Sequence, residues 1–403
     1  MPANTPLSSL ADRAVADPIA PIFGEIMSRQ AADSSFVSLA AGSPDNRLLP
    51  NDLLDALVQD ARQADQHLGL LNYTMPQGLP SLRAHFARLL QDQGVRCTPE
   101  GLLITSGGME AISLAAELTL NPGDVVLVES PAFPGAMSAF QRCGARVIHV
   151  DCDDDGIIPE AVVEAIALHR PKLLSVMPDF QNPSGRVMPA ARRERLALII
   201  EDTGVMAIED GVYTQLRFAG DPLPPLQSYA PDHVLYASSV SKILAPAMRV
   251  GALVAPPAFV EHARRVKSAY NMQASGFTQA IAARFLDPGK SVLTDHLQSL
   301  RTAYADRYRV MDQALAQHFP GSAGYTWTRP SGGMFLWLEG PDSVDFTAAL
   351  GLALKAGVAY IPGSLFYSDP GRGHQAARLN YASTSPDRIP EGVARLAMAL
   401  LGW

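Results

Sequence analysis

The chain of 403 residues has only three cysteines, Cys97, Cys143 and Cys152. They share no metal-type spacing, and their odd number does not describe a disulfide framework, so the sequence suits a reducing compartment. The nine histidines include no His-x-x-x-His pair, which argues against a metal site. We therefore predict a cytoplasmic protein that contains no metal ion.

Long apolar runs and basic clusters are also missing. No stretch of about 18 uncharged apolar residues occurs, and the first ten residues lack the basic and apolar regions of a secretory signal. The formal net charge is −8, whereas a nucleic-acid-binding protein normally carries a basic stripe. Neither a membrane span nor a nucleic-acid partner is expected, and no Gly-x-Gly-x-x-Gly or Walker-type loop is present.

The middle of the chain alternates between short apolar runs and segments of helical periodicity. Strand-like runs begin at residues 101, 125, 146, 172, 205 and 234, and predicted helices cover 19–30, 50–67, 79–93, 110–120, 135–143, 159–168 and 189–203. This alternation predicts a mainly parallel sheet covered by helices on both faces.

After residue 288 the pattern changes to a long helix over 291–319, several strands and a terminal helix that ends at Trp403. This second pattern predicts a smaller α+β domain. We expect residues 1–45 to form an N-terminal segment that joins the small domain, 46–288 the large domain, and 289–403 the small C-terminal domain.

Lys242 follows a predicted strand, stands among three serines, and precedes Arg249 by seven residues. A lysine beside another cation or partly removed from water loses its proton more readily, which makes its amine a nucleophile for an aldehyde. The fork of Arg249 is suited to grip a phosphate through two hydrogen bonds. From this stretch alone, a serine-rich turn with a solvated lysine and arginine remains an equal alternative.

Four further motifs follow other strands. The turn at Gly108 and Met109 begins a helix whose free N–H groups can bind an anion, although glycines also simply begin helices. Phe133 can stack on a planar ligand or can be an ordinary core residue. Asn182 is held rigid before a proline, and Asp210 follows a buried run where a carboxylate needs a cationic partner such as a protonated pyridine nitrogen.

The order of these motifs resembles the fold-type I pyridoxal-phosphate enzymes. Within them the chain is most similar to class I aminotransferases of the kynurenine and 2-aminoadipate subgroup. The resemblance rests on six ordered motifs and runs from about Ile22 to Arg395: Ser106-Gly-Gly-Met-Glu, Pro131-Ala-Phe-Pro-Gly, Asn182-Pro-Ser-Gly, Asp210-Gly-Val-Tyr, Ser239-Val-Ser-Lys to Arg249, and Arg378-Leu-Asn-Tyr-Ala-Ser. It implies an α/β fold, with a three-layer α/β/α large domain around a mainly parallel seven-stranded sheet and a smaller α+β domain.

The resemblance implies that pyridoxal 5'-phosphate is the cofactor and that Lys242 forms its Schiff base. Asp210 would pair with the pyridine nitrogen, Asn182 and Tyr213 would donate to the phenolic oxygen, and Phe133 would stack on the ring. The phosphate would be bound by Arg249, Ser239, Ser241 and the backbone of Gly108 and Met109.

On the substrate side, the resemblance implies that Arg378 binds the α-carboxylate, with Asn182 and Gly42 close to the substrate. Tyr73 would reach the phosphate bound by a neighbouring subunit, which predicts a homodimer. The family often has Ser-Gln-Gln where this chain has Gly108-Met109-Glu110, and often Tyr where it has Phe133. These departures remove hydroxyl contacts to the cofactor and place an acid near the phosphate.

The implied reaction moves an amino group from an L-amino acid to a 2-oxo acid such as 2-oxoglutarate or pyruvate. The same residues could instead serve a β-lyase, a racemase, a decarboxylase or a cyclising synthase. A ligand-sensing domain of a transcription regulator is a further alternative, which the 38 residues ahead of Leu39 and the net charge disfavour. Arg13, Arg47 and Tyr360 are candidates for reading the substrate side chain, but such residues are more often solvated or packed.

Overall fold

The computed structural model describes residues 8–13, 17–64, 71–319 and 323–401, and the bounds below refer to these residues. The α-helices are, in chain order, α1 (Ser9–Asp12), α2 (Ala20–Ala32), α3 (Asn51–Ala64), α4 (Pro80–Gln91), α5 (Gly108–Thr119), α6 (Pro134–Arg142), α7 (Pro159–His169), α8 (Ala190–Thr203), α9 (Leu226–Tyr229), α10 (Pro257–Asn271), α11 (Gly276–Phe285), α12 (Val292–His318), α13 (Phe346–Lys355) and α14 (Ile389–Leu401). Short 3₁₀ turns connect several of them.

In the described residues the β-strands form one seven-stranded sheet, one four-stranded sheet and two two-stranded sheets. The strands are β1 (Val37–Ser38), β2 (Leu102–Thr105), β3 (Val125–Val128), β4 (Arg146–His149), β5 (Cys152–Asp153), β6 (Gly156–Ile157), β7 (Leu173–Val176), β8 (Met206–Asp210), β9 (Val234–Ser239), β10 (Gly251–Val254), β11 (Thr326–Trp327), β12 (Phe335–Glu339), β13 (Val358–Ala359), β14 (Ile361–Pro362) and β15 (Ala376–Asn380).

Proline and glycine set several helix ends. Pro80, Pro134, Pro159 and Pro257 each stand in the first turn of a helix, where a missing N–H costs nothing and the fixed φ is already helical. Gly204 ends α8 with φ of +68°, a left-handed conformation that glycine adopts without a Cβ clash.

The large sheet has seven strands in the order β2-β10-β9-β8-β7-β3-β4. All neighbours pair in parallel except β10, which runs antiparallel to both β2 and β9. The predicted mainly parallel seven-stranded sheet is therefore confirmed. The strand β10 was not among the predicted strands, because its four apolar residues follow the Lys242 turn without a helix between them.

Alternating side chains of the strands enter two different apolar clusters. In β3, Val126 and Val128 pack with α5 and α6, whereas Val125 and Leu127 pack with α7 and α8. Successive strand residues point to opposite faces, so helices cover both sides of the sheet. This arrangement confirms the three-layer α/β/α fold.

The C-terminal part contains an antiparallel sheet in the order β11-β12-β15-β14, and α12 packs against α14. Near the N-terminus, β1 pairs in parallel with β13. The domain boundaries at residues 45 and 288 stay a prediction. The expected helix end at Trp403 and the end of the expected 50–67 helix lie outside the described residues.

Among the described residues, four helices were not predicted: the short α1 and α9, and the longer α10 and α11, which follow the last strand of the large sheet in the sequence. In the part of the chain that the structure describes, no helix has both the length and the apolar character that crossing a membrane requires.

Candidate active site

The carboxyl ends of the parallel strands meet at one edge of the large sheet, next to a cavity of about 530 Å³. Twelve of the thirteen residues predicted for the site line this cavity; they are Gly42, Gly108, Met109, Phe133, Asn182, Asp210, Tyr213, Ser239, Ser241, Lys242, Arg249 and Arg378. Segments far apart in the sequence thus converge on one space.

Lys242 ends the 3₁₀ turn that follows β9, and its side chain is partly buried in the cavity wall. Its Nζ donates to the backbone oxygen of Gly42 at 2.7 Å. Burial, together with the charges of Arg378 and Arg249, lowers the pKa of the amine to about 8, against the opposing effect of Asp210. An amine with this pKa is partly neutral near physiological pH and can act as a nucleophile or base.

Asp210 is the last residue of β8, where pairing with β7 and β9 fixes the backbone on both sides. Its carboxylate is 7% exposed and accepts one hydrogen bond, from the backbone N–H of Val212 at 3.2 Å. Burial raises the pKa of this carboxyl to about 6. Among the described residues, no basic side chain lies within 4 Å of it. A ligand with a positively charged group would supply the missing partner.

The first turn of α5 and Arg249 together form a cup at the cavity wall, whose donors are suited to an anion. Gly107, just before the helix, has φ of +88°, and a Cβ there would overlap the guanidinium of Arg249. Arg249 donates to the backbone oxygen of Ser106 at 2.9 Å and lies 3.4 Å from the hydroxyl of Ser241. The free N–H groups of the helix and the exposed guanidinium therefore face the same anion position.

The hydroxyls of Ser239 and Ser241 complete the cup. Their oxygens are 2.9 Å apart, and the oxygen of Ser239 accepts the backbone N–H of Ser241 at 3.1 Å. Both side chains are buried, so their positions are fixed before any anion binds.

Aromatic rings form part of the cavity wall. A Cβ on Gly135 would lie 2.6 Å from the ring of Phe133, so the glycine allows that ring to take its position. Tyr213 packs edge-on against Phe335 with ring centroids 5.7 Å apart, and burial raises the pKa of its hydroxyl. Its phenol therefore stays protonated at neutral pH and remains a donor.

Arg378 projects from β15 and is 3% exposed. It donates to the side-chain oxygen of Asn182 at 3.0 Å and to the backbone oxygen of Ala40 at 2.9 Å, and its guanidinium lies 4.2 Å from the ring centroid of Phe335. Its Nε has no hydrogen-bond partner in the described part of the chain. Burial lowers the pKa of this guanidinium to about 10, which still leaves it charged at neutral pH.

Tyr73 is the one predicted site residue that does not line the cavity, and its side chain is 78% exposed. The three candidates for reading the substrate side chain also lie outside the cavity lining. Arg47 is paired with Asp45 at 2.7 Å, Tyr360 is fully buried in the core, and Arg13 donates to the backbone of Arg142. These three residues are therefore solvated or packed, as we expected for most side chains of this kind.

Part of the cavity lining was not predicted from the sequence. Ile19 and Phe23 reach the cavity from the start of α2, Ile112 from α5, and Arg142 from the end of α6. Their helical spacing is the same as that of ordinary core or surface positions, so the sequence contained no signal for them. Phe335 could have been noticed, because it follows two glycines at the start of a predicted strand.

The residues present fit a planar, phosphorylated pyridine aldehyde. A buried acid without a cation suits a ring nitrogen, a partly neutral amine suits an aldehyde, and the cup suits a phosphate. The guanidinium of Arg378 remains as a site for a second anionic group, such as a carboxylate.

Comparisons with known proteins point the same way. The family model "Aminotransferase class I and II" matches residues 35–396. The chain is 33% identical over 371 residues to a 2-aminoadipate transaminase of Thermus thermophilus, covering 91% of this chain and 90% of that protein. It superimposes on a Pyrococcus horikoshii kynurenine aminotransferase with a TM-score of 0.90 and 30% identity, covering 98% and 96% of the two chains. An uncharacterized HTH-type transcriptional regulator of Bacillus subtilis also matches, at 27% identity over 92% of this chain and 75% of its own.

Proposed function

Since the chain belongs to the aminotransferase class I and II family, and is a pyridoxal-phosphate-dependent transaminase, we propose that Lys242 is its cofactor-linking lysine. Asp210 then holds the pyridine nitrogen, Arg249 the phosphate, and Arg378 the substrate carboxylate. When bound, the cofactor supplies an aldehyde that takes up amino groups and a protonated ring that withdraws electrons.

One observation supports this assignment above the others. Asp210, Lys242 and Arg378 line the same cavity, and among the described residues none of them has an oppositely charged side chain within 4 Å. A buried charge normally has a partner, because burying it alone is costly. Three such groups around one cavity are explained if the cofactor and substrate bring the partners.

The proposed proton transfer is centred on Lys242. Its Nζ is held at the cavity wall by the Gly42 carbonyl, and a pKa near 8 lets it take a proton from the substrate Cα and return it. Arg378 fixes the α-carboxylate, with its own position set by Asn182 and Ala40. Holding one end of the substrate orients the Cα–H bond, which contributes much of the rate acceleration.

Asp210 contributes a negative charge to the site, and Tyr213 contributes a neutral phenol. The carboxylate of Asp210 stabilises positive charge opposite it, and the phenol of Tyr213 stays protonated because burial raises its pKa. Asn182 connects the substrate side of the site with the cofactor side. Its side-chain oxygen accepts a hydrogen bond from Arg378, and its segment borders the space proposed for the cofactor.

The test of this function is a spectroscopic exchange. Purified protein is mixed with single L-amino acids, and we expect the absorption of the aldehyde form to convert to that of the amine form and to return on adding 2-oxoglutarate or pyruvate. Release of pyruvate or ammonia, without the return, would instead identify a β-lyase or another elimination, and racemised or cyclised product would identify the remaining alternatives.

For the substrate, the apolar part of the lining favours amino acids with large apolar or aromatic side chains. Ile19, Phe23 and Ile112 are among the residues that line the cavity. A panel containing phenylalanine, leucine, kynurenine, 2-aminoadipate and aspartate tests this preference. A higher kcat/KM for aspartate than for all apolar donors would contradict it.

We also propose that the protein is a homodimer in which Tyr73 completes the site of the other subunit. Leu71, Tyr73, Met75 and Met272 are all more than half exposed, and the backbone of Thr74 is tied to the side chain of Gln273, so these apolar residues form one surface. Apolar side chains clustered in this way favour a protein partner.

Subunit complementation tests the dimer directly. A Tyr73→Ala chain mixed with a Lys242→Ala chain forms hybrids in which one site carries both changes and the other carries neither. We expect activity to reappear on mixing. Two inactive parents that stay inactive in a verified hybrid, or a monomer in light scattering, would exclude this arrangement.

The domain division at residues 45 and 288 and the cytoplasmic location remain proposals as well. The unpaired thiols of Cys97, Cys143 and Cys152 support a reducing compartment. Limited proteolysis, with cleavage mapped relative to residues 45 and 288, tests the division, and cell fractionation tests the location.

A further inference from the structure

A buried ion pair lies directly behind the anion-binding cup. Lys267, on α10, is completely buried, and its Nζ lies 3.1 Å from Oε1 of Glu110, which is only 12% exposed. Lys267 also donates to the side-chain oxygen of Asn271 at 2.9 Å. Neither residue of the pair lines the cavity, so neither contacts a ligand there.

Both oxygens of Glu110 are used. Oε2 accepts the backbone N–H of Ser106, and Oε1 accepts from Asn271 at 3.1 Å as well as from Lys267. Ser106 in turn accepts from Arg249 through its backbone oxygen at 2.9 Å. A continuous chain of hydrogen bonds therefore connects Lys267 to the guanidinium that faces the anion.

The cup requires this support for a geometric reason. Its backbone passes through Gly107 in a positive-φ conformation, against the guanidinium of Arg249. Glycine has no preference of its own for one conformation, so contacts outside the turn must fix it. Glu110 does so by binding the N–H of Ser106, as an acid in the first turn of a helix commonly does.

There is also an electrostatic reason. Glu110 places a negative charge in the first turn of the helix whose N-terminus is to bind an anion, and the two would repel each other. The ammonium of Lys267 cancels that charge at a distance of 3.1 Å. The acid at position 110 can therefore shape the turn without opposing the phosphate.

We propose that Glu110 and Lys267 are positioning residues for the phosphate of the cofactor: Glu110 fixes the Ser106–Met109 turn, and Lys267 neutralises the acid that does so. This inference rests on the proposed function, since it takes the cup to be the phosphate site. It explains how an acid can be accommodated at the cup, the departure that the sequence left in question.

The two charges predict opposite effects on cofactor affinity. In full-length protein, we expect Lys267→Met to raise the dissociation constant for pyridoxal phosphate about tenfold or more, because an uncompensated carboxylate then repels the phosphate. Glu110→Gln keeps an oxygen for the N–H of Ser106 and leaves Lys267 positive and unopposed, so affinity should be higher than in wild type. The double variant should return to within about threefold of wild type.

The measurements are absorbance titration with the cofactor and competition by inorganic phosphate, neither of which depends on turnover. Lys290→Met is the matched control, since Lys290 forms a similar pair with Asp60 on the surface. Circular dichroism and the thermal midpoint report folding. If Lys267→Met does not fold, Glu110→Gln decides: tighter cofactor binding, from the unopposed charge of Lys267, supports the proposal, and unchanged or weaker binding overturns it.

Unchanged affinity in folded Lys267→Met, or an equal loss in both single variants and the double variant, would show that the pair serves stability alone. Arg249→Met distinguishes this failure from a failure of the proposed function. If Arg249→Met weakens phosphate competition while Lys267→Met does not, only the positioning role is wrong. If Arg249→Met also has no effect, the cup is not the phosphate site and both proposals fall.

Discussion

Buried charges beside the large sheet and buried charges around the cavity differ in how they are satisfied. Asp179 binds two arginines, Arg193 at 2.8 Å and Arg217 at 2.6 Å, and Arg193 is completely buried. Asp210 is almost as buried as Asp179 but accepts only a backbone N–H. Arg378 is buried too, and its neighbours are an amide, a carbonyl and aromatic rings.

The difference separates structural charges from functional ones. A buried ion pair compensates its own desolvation, so the fold can keep it without any ligand. An unpaired buried charge weakens the folded protein and has a shifted pKa, which makes it a candidate for binding or catalysis. In the part of the chain that the structure describes, Asp210, Lys242 and Arg378 line the cavity without an ion pair, whereas the paired Asp179 network does not line it. Of the same described residues, Glu129 and Glu209 are also buried without an ion pair, but they lie outside this lining and each accepts two hydrogen bonds, so burial alone does not mark a functional acid.

Among the unpaired groups Asp210, Lys242 and Arg378, the largest expected effect comes from removing the amine of Lys242. Lys242→Ala should lower kcat by at least about a thousandfold, because the proposed nucleophile and proton carrier is lost. Initial rates with the best amino donor measure this. Lys172→Ala, an exposed lysine just before β7, is the control and should retain wild-type rates. Borohydride trapping of the cofactor on any lysine other than Lys242 would contradict the assignment.

The second prediction compares the paired acid Asp179 with the unpaired acid Asp210. The quantity compared is the free energy of unfolding of the protein without cofactor. Asp179→Asn leaves two buried or half-buried arginines without an anion, so we expect it to lower the free energy of unfolding by about 3 to 5 kcal/mol. Asp210→Asn removes a charge that has no ion-pair partner and should not destabilise the protein at pH 7. Denaturant titration measures both variants. Equal destabilisation by the two changes would contradict the distinction between paired and unpaired buried acids.

The third prediction concerns the unpaired cation. Arg378→Met should lower kcat/KM for amino acids about a hundredfold, because the α-carboxylate loses its charged hydrogen bonds. Arg378→Lys should restore only part of this, since a lysine cannot replace the fork. Cofactor affinity, titrated in parallel, should stay within about threefold of wild type. A large loss of cofactor affinity would mean that Arg378 supports the cofactor rather than the substrate.

The fourth prediction is a pH dependence with a definite sign. Burial raises the pKa of Asp210 from 3.8 to about 6, so between these pH values the folded protein holds a proton that the unfolded chain has lost. Stability from this group therefore falls as the pH rises from about 4 to about 6. Without cofactor, Asp210→Asn should match wild type near pH 4 and exceed it above pH 6. If the stability advantage of Asp210→Asn over wild type decreased between pH 4 and pH 6, the prediction would be wrong.

The smallest effect is expected at the aromatic wall. Phe133→Leu keeps the apolar contact and removes only the stacking ring, which should weaken cofactor binding about three- to tenfold. Phe133→Tyr should stay within about threefold of wild type, since it adds a hydroxyl without removing the ring. Absorbance titration measures both variants, and a loss above a hundredfold for either would show that Phe133 has a role beyond stacking.

Much of the site could be predicted because parallel strands bring their carboxyl ends together. Asn182, Asp210 and Lys242 each follow a strand-like run, so their meeting at one edge of the sheet follows from the alternation of strands and helices. The lining from α2 and α6 was not predictable, because Phe23 and Arg142 have the spacing of ordinary helical positions. What they face depends on how the helices pack.

The sequence by itself determined most of the strand and helix order, the family, and the residue types that provide an amine, an acid, an anion cup and a guanidinium. The tertiary structure alone decided which charges were paired. Glu110 looked like an acid opposed to a phosphate until α10, itself missed, brought Lys267 to it from 157 residues away. Ion pairing depends on distances of a few ångströms between segments that are remote in sequence, and local patterns contain no information on those distances.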